Sequence, residues 1–156
     1  MEPTRGTFLV TQADDRSAIL RAVTDGQVHT LSSNPGLERG DVLEATLEPD
    51  PPLAVVWELV ELAERRSIEL VASEEPPTRR SLDVASDLAE GEVARRERAG
   101  TGELHVVAVP PERTDRAVAD VLADEATLER AARLGVDRVE VRSTTGVVSV
   151  RYLPRS

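Results

Sequence analysis

The sequence predicts an α+β protein made of a small antiparallel β-barrel followed by a compact unit whose elements run α-β-α(α)-β-β. Two observations lead to this prediction. The apolar residues follow the two-residue period of strands through the first half, and a mixture of helical and strand periods in the second. The charge changes at the same place, because residues 1–75 carry 15 acidic and 6 basic side chains whereas residues 76–156 carry 14 and 13. The acidity of the chain, whose formal net charge is −10, therefore belongs almost entirely to the first half.

Six segments of the first half have the character of strands. They are residues 7–11, 18–23, 27–31, 41–47, 54–62 and 67–72. The fourth alternates most clearly, because Leu43, Ala45 and Leu47 lie on one side and charged or polar residues on the other. Turn residues separate the segments, and Thr24-Asp25-Gly26 is the strongest hairpin signal among them. Five or six short strands spaced about ten residues apart predict a small barrel that removes its own edges.

The second half begins with a predicted helix at residues 81–98. Its apolar residues, from Leu82 to Val93, recur at helical spacing, and Thr78 or Ser81 suits the N-cap. Three basic residues suit the negative end of the helix dipole, namely Arg95, Arg96 and Arg98. Gly100 suits the stop that follows.

A strand, a helical region and a hairpin complete the second half. The strand covers residues 103–109, and the hairpin pairs residues 138–143 with residues 147–153 around a Thr-Thr-Gly turn. Between them, residues 114–134 are helical, and the pattern leaves open whether they form one helix or two helices broken at Asp124.

The boundary between two modules is predicted at residues 73–78, which read Ser-Glu-Glu-Pro-Pro-Thr. Adjacent prolines remove two backbone donors and bias the preceding residue away from helix. We therefore expect residues 1–75 to form an acidic barrel-like module and residues 79–156 to form an α+β module, joined by this Pro-rich segment.

The composition narrows the class of protein. All 19 basic residues are arginine, and a lysine-free acidic chain is typical of adaptation to concentrated salt, where repulsion between distant charges is screened. The alternative is that a GC-rich genome alone has replaced lysine by arginine. The absence of cysteine excludes disulfides and Cys-ligated metals. The first residues lack the apolar stretch of a signal peptide, and no apolar run is long enough to span a bilayer. We expect a cytoplasmic protein that needs no membrane and no cofactor.

Two resemblances support this interpretation. The segment Leu-Glu-Arg-Gly-Asp-Val-Leu-Glu-Ala at residues 37–45 resembles the entry into a strand of OB-type barrels, so the first half is expected to be OB-like. The chain as a whole resembles an uncharacterised protein family of halophilic archaea, a domain of unknown function. The resemblance is carried by residues 6–11, 31–36, 74–79, 98–103 and 134–141. It implies adaptation to salt and supplies no activity, substrate or site residue.

The candidate interaction surface is one face of the C-terminal hairpin. Strand alternation places Arg138, Arg142 and Arg151 around Glu140, on the side opposite the valines. The arginines at residues 95, 96 and 98 would add to this surface if the end of the predicted helix lay nearby. Either the face carries a cross-strand network of ion pairs, or it is a platform for an anion or an RNA backbone.

The sequence contains no pattern of catalytic residues. His29 and His105 lie alone on separate predicted strands, and a phosphate-binding loop is excluded because its lysine is missing. We therefore expect a non-enzymatic interaction or adaptor module with a protein partner. The alternative is an accessory protein that binds RNA or single-stranded DNA through the OB-like half and the Arg-bearing hairpin. Neutralising five phosphates would cost roughly four to five decades of affinity for a tenfold rise in salt, which favours the first hypothesis.

Overall fold

The computed structural model describes residues 3–51, 55–97 and 102–154 and contains two compact units. The first unit comprises Met1–Ile68 and Leu128–Arg133, and the second comprises Glu69–Thr127 and Leu134–Ser156. The fold is α+β, with an OB-like barrel in the first unit and a five-stranded sheet with helices in the second, so the predicted fold class is confirmed.

The first unit is a closed barrel of five strands in the order β1-β2-β3-β5-β4. The strands are β1 (Thr4–Ala13), β2 (Ala18–Ala22), β3 (Val28–Leu31), β4 (Asp41–Pro49) and β5 (Trp57–Ser67). Alternating residues fill the barrel, as in β4, where Leu43, Ala45 and Leu47 are buried and Glu44 is exposed. The turn between β2 and β3 contains Gly26 at φ +75°, a conformation that glycine adopts without strain.

The second unit is built on a sheet with the order β6-β9-β10-β8-β7. Its strands are β6 (Glu69–Ala72), β7 (Val93–Glu97), β8 (Glu103–Ala108), β9 (Arg138–Thr144) and β10 (Val147–Leu153). The chain has three α-helices in its described part: α1 (Arg79–Ala85), α2 (Thr114–Ala123) and α3 (Glu125–Leu134). The question left open at Asp124 is resolved in favour of two helices, because Asp124 has extended backbone and its carboxylate accepts from the N–H of Ala126. Among the described residues, no helix has both the length and the apolar composition needed to cross a bilayer.

One strand expected in the barrel belongs to the other sheet. The sixth predicted strand, at residues 67–72, is β6, which pairs in parallel with β9 and not with a barrel strand. Its first residue, Glu69, donates its backbone N–H to the carbonyl of Asp137. The two-residue period of such a segment marks a strand but carries no information about its distant partner, which explains the error.

The predicted helix at residues 81–98 is wrong beyond Ala85. Thr78 caps α1 as expected, since its side chain accepts from the N–H of Ser81, but the helix ends at Ala85. Gly91 then adopts φ +87° and donates its N–H to the carbonyl of Ala108, and the chain continues as β7 along the edge of the sheet. The backbone of residues 93–97 is thus hydrogen-bonded to β8, an interaction that local helical spacing does not reveal.

Candidate functional site

The C-terminal hairpin carries three arginines and one glutamate on the same face. In the register of β9 and β10, Glu140 lies opposite Arg151 and Arg142 opposite Ser149. Arg138 is two residues before Glu140 and therefore shares its face. The opposite face is apolar and buried, and it contains Val139, Val141, Val148 and Val150. The structure therefore brings together four of the residues named from the sequence.

Glu140 is the centre of this group and is only 8% exposed. Its Oε1 atom accepts from Arg142 Nε at 2.5 Å and from Arg151 Nη1 at 3.0 Å, and its Oε2 atom lies 3.6 Å from Arg138 Nη2. Burial by itself raises the pKa of Glu140, but the guanidinium groups of Arg142 and Arg151 outweigh it. The pKa of Glu140 is therefore held below its ordinary value.

Two further glutamates complete the network. Arg142 Nη2 lies 2.7 Å from Glu75 Oε2, and Arg138 Nη1 lies 3.1 Å from Glu69 Oε1. Three arginines thus face three glutamates and the group is neutral. An anion could bind here only by displacing carboxylates that already hold the guanidinium groups. Glu69 was not predicted from the sequence, because the parallel pairing of β6 with β9, which places it beside Arg138, joins distant segments.

The other three arginines of the candidate surface are not at a helix end. Arg95 and Arg96 lie on β7, opposite His105 and Leu104 respectively, so they point to different faces of the sheet. Arg96 shares the face of Arg151, with Leu104 of β8 between them. Arg98 lies outside the described residues.

The two histidines occupy different environments. His29 is buried inside the barrel, with its ring centroid 5.5 Å from that of Phe8 and 4.7 Å from that of Trp57. Its Nδ1 atom has no hydrogen-bond partner among the described residues, and burial lowers its pKa. His105 Nε2 lies 2.8 Å from Glu103 Oε1. In the described ranges, no three His, Asp or Glu side chains are grouped closely enough to hold a metal ion.

One side of β5 forms a surface that the sequence did not indicate. This strand has 11 residues and pairs with β4 along its length, but with β3 only through Leu31 and Trp57. In the part of the chain that the structure describes, no strand pairs with the other edge of β5 beyond Trp57. We call this segment, from Glu58 to Ser67, the β5 edge. It carries two exposed apolar side chains, Val60 at 46% and Leu62 at 42% exposure.

Two bulges in β5 determine the face of the sheet on which each side chain of the β5 edge lies. The register with β4 shifts twice, so that Val60 and Ala63 have no direct partner. As a result Glu58, Glu61 and Glu64 share the outer face, although residues three apart in a regular strand alternate between faces. Leu59 and Leu62 lie opposite Leu47 and Ala45, whose side chains are buried in the barrel.

The outer face of β4 and β5 is strongly acidic. Glu44 lies directly opposite Glu64, and Glu48 lies directly opposite Glu58. Like charges in direct cross-strand positions destabilise a sheet. The barrel therefore carries repulsion at this face that added salt would screen.

These features define a two-unit α+β protein with an OB-like barrel, a neutral Arg–Glu network on its sheet and an acidic barrel edge. Residues 4–143 match the model described as "Family of unknown function (DUF5812)", so the chain belongs to this family. No curated protein and no solved structure matches the chain.

Proposed function

We propose that this protein is a non-enzymatic protein-interaction module and that it binds an extended segment of a partner protein along the β5 edge. The observation that carries the proposal is the length of this edge, which runs for ten residues beyond the single contact with β3. Backbone N–H and C=O groups on a strand edge that no other described strand joins can accept an additional strand.

The other open edges of the protein are poorer candidates. The edge strands of the second unit have four residues in β6 and five in β7. Short edges are a usual way of preventing strand addition. The β5 edge is at least twice as long and exposes two large apolar side chains, Val60 and Leu62, which offer the apolar contact that persists in high salt.

The side chains of the β5 edge specify the chemistry of the partner. An added strand would continue both faces of the sheet, so its outward residues would lie beside Glu58, Glu61 and Glu64 and its inward residues beside Leu62. Arginines on the outer face and aliphatic residues on the inner face would match these neighbours. A second copy of β5 would place its own glutamates on the outer face and is disfavoured for that reason.

Nucleic-acid binding, the alternative function, receives less support. The hairpin arginines are held by Glu140, Glu69 and Glu75, so few of their charges remain for phosphates. The acidic outer face of the barrel repels a polyanion. High salt also opposes this function, because a tenfold rise in salt costs roughly four to five decades of affinity for a protein that neutralises five phosphates.

The test uses a peptide of about ten alternating Arg and Val residues, which matches the length of the β5 edge, and the whole protein in about 1 M KCl. We expect the peptide to protect the backbone amides of Glu58–Ser67 from hydrogen exchange, as measured by NMR. A peptide with Glu in place of Arg should protect them less, because it repeats the charge of the strand.

Leu62→Arg should abolish this protection, because it removes the apolar contact and repels the basic peptide. Val93→Arg is the matched control, since Val93 is an exposed apolar residue on the edge strand β7. In affinity capture at molar salt, nuclease-resistant partners that Leu62→Arg loses and Val93→Arg retains would support the proposal. Unprotected β5 amides, or partners released only by nuclease, would overturn it, and the second result would favour the nucleic-acid alternative.

A further inference from the structure

We infer that the barrel unit binds a small zwitterion, with the size and charge pattern of a free apolar α-amino acid, in a cavity beside the turn between β2 and β3. The cavity has a volume of about 330 Å³. Its walls are the turn from Val23 to Gly26 and the residues of α3 that belong to this unit.

Charges of both signs line this cavity. Arg21 and Arg133 supply two guanidinium groups, and Asp25 and Glu129 supply two carboxylates. Arg21 Nε lies 3.2 Å from Glu129 Oε1. The four groups sum to zero, and they come from three separate places in the chain, namely β2, the turn and α3.

The hydrogen bonding of Arg21 is incomplete. Its Nη1 atom donates to the carbonyl oxygen of Gly26 at 3.3 Å. Its Nε atom is buried and, despite its closeness to Glu129, makes no hydrogen bond of acceptable geometry to any described residue. A buried guanidinium N–H that is ion-paired but makes no well-aligned hydrogen bond is uncommon in folded proteins, and a bound water or ligand would complete its hydrogen bonding.

The mixture of charges selects against simple ions. A free anion would meet the carboxylates of Asp25 and Glu129, and a free cation would meet the guanidinium groups of Arg21 and Arg133. A zwitterion can place its carboxylate by the guanidinium groups and its ammonium by the carboxylates.

The remaining lining and the volume specify the rest of the ligand. Four apolar residues contribute to the walls, namely Leu9, Ala22, Val23 and Ala132. They would receive an aliphatic side chain, since burying such a chain is favourable. The volume is about ten times the share of one water molecule in the liquid, which leaves room for a free amino acid.

The test titrates the whole protein with three related probes: L-leucine, L-leucinamide and N-acetyl-L-leucine. Leucinamide lacks the carboxylate and N-acetylleucine lacks the ammonium, so each keeps one charge of the zwitterion. We expect leucine to shift the NMR signals of the Thr24, Asp25 and Gly26 amides in a saturable way. Each analogue should bind roughly tenfold more weakly, because a charge-assisted hydrogen bond is lost.

Arg133→Gln tests the site without disturbing the core, because Arg133 is exposed. It should weaken leucine binding roughly tenfold and leave the melting temperature unchanged. Arg16→Gln, an exposed arginine outside the cavity lining, should bind leucine as the wild type does. Leu62→Arg should also bind leucine normally, so failure of the β5 proposal would leave this one standing.

Three results would overturn the inference. The first is the absence of shifts at about 20 mM leucine, which would mean that only water fills the cavity. The second is equal binding of all three probes, which would show that the cavity does not distinguish the zwitterion from its singly charged analogues. The third is a folded Arg133→Gln protein that binds leucine with unchanged affinity.

Discussion

Replacing Glu140 by Gln tests whether the hairpin network is a structural element of the second unit. Glu140 is buried and accepts hydrogen bonds from Arg142 and Arg151, which are only 15% and 19% exposed in their side chains. Hydrogen bonds to charged groups contribute about 1.5–3 kcal/mol each, and breaking a buried ion pair costs about 3–5 kcal/mol. Arg142 keeps Glu75 as a partner, so we expect a cost between these two figures, about 2–4 kcal/mol. In a protein of this size that loss lowers the melting temperature by roughly 5–12 °C.

The same variant has a characteristic pH dependence. The pKa of Glu140 in the folded protein lies below its ordinary value of 4.5, so the folded state favours the charged carboxylate. Its contribution to stability is complete above the ordinary pKa and is lost as the pH falls through the lowered folded pKa. The stability difference between wild type and Glu140→Gln should therefore be largest near neutral pH and narrow below about pH 4.5.

Urea unfolding in molar KCl, followed by circular dichroism at pH 7 and at pH 4 to 3, measures both effects. Glu69→Gln is the matched control, because Glu69 also pairs with an arginine of the network but its side chain is 62% exposed. The control should cost at most about 0.5–1 kcal/mol. If Glu140→Gln costs no more than this control at pH 7, or if its deficit persists unchanged at low pH, the reasoning is refuted.

Three further predictions concern the barrel and the Pro-rich segment at residues 73–78. The melting temperature of the wild type should rise between about 0.1 and 2 M KCl, and a flat or falling melting temperature would contradict adaptation to salt. Glu64→Gln should be more stable than the wild type by a few tenths of a kcal/mol, and only at the lower salt, because it relieves repulsion from Glu44. Acidification should reduce the fluorescence of Trp57 as His29 gains a proton, and the stability of the barrel should fall as the pH drops below 6.5 through the lowered pKa of His29. If His29→Leu shows the same fluorescence titration as the wild type, protonation of His29 is not its cause. Limited proteolysis in high salt should cut first within residues 73–78, a Pro-rich segment of the second unit in which Glu74, Glu75 and Pro76 are exposed. A first cut within residues 41–72 would contradict this prediction.

The local chemistry of the sequence predicted the parts of the fold that depend on near neighbours. Strand alternation placed Leu43 and Leu47 in the barrel, and Thr78 caps α1 as its position predicted. The same alternation put Arg138, Arg142 and Arg151 on one face. The helix at residues 81–98 failed because the stability of β7 comes from pairing with β8, whose contribution exceeds the weak preference of the intervening residues for helix.

The sequence by itself determined the composition of the β5 edge, namely its three glutamates and its aliphatic residues. Its length was not predicted, because the predicted strand ended at residue 62 whereas β5 continues to Ser67. Only the tertiary structure decided that Glu58, Glu61 and Glu64 share one face. Their spacing of three does not fit the period of a strand, and the two bulges that align them arise from the register with β4. The pairing of Glu69 with Arg138 was also decided by the tertiary structure, because the chain entropy of joining β6 to β9 is recovered only when the whole sheet forms. Periodicity is a property of neighbouring residues, whereas register and bulges depend on which distant strand supplies the hydrogen bonds.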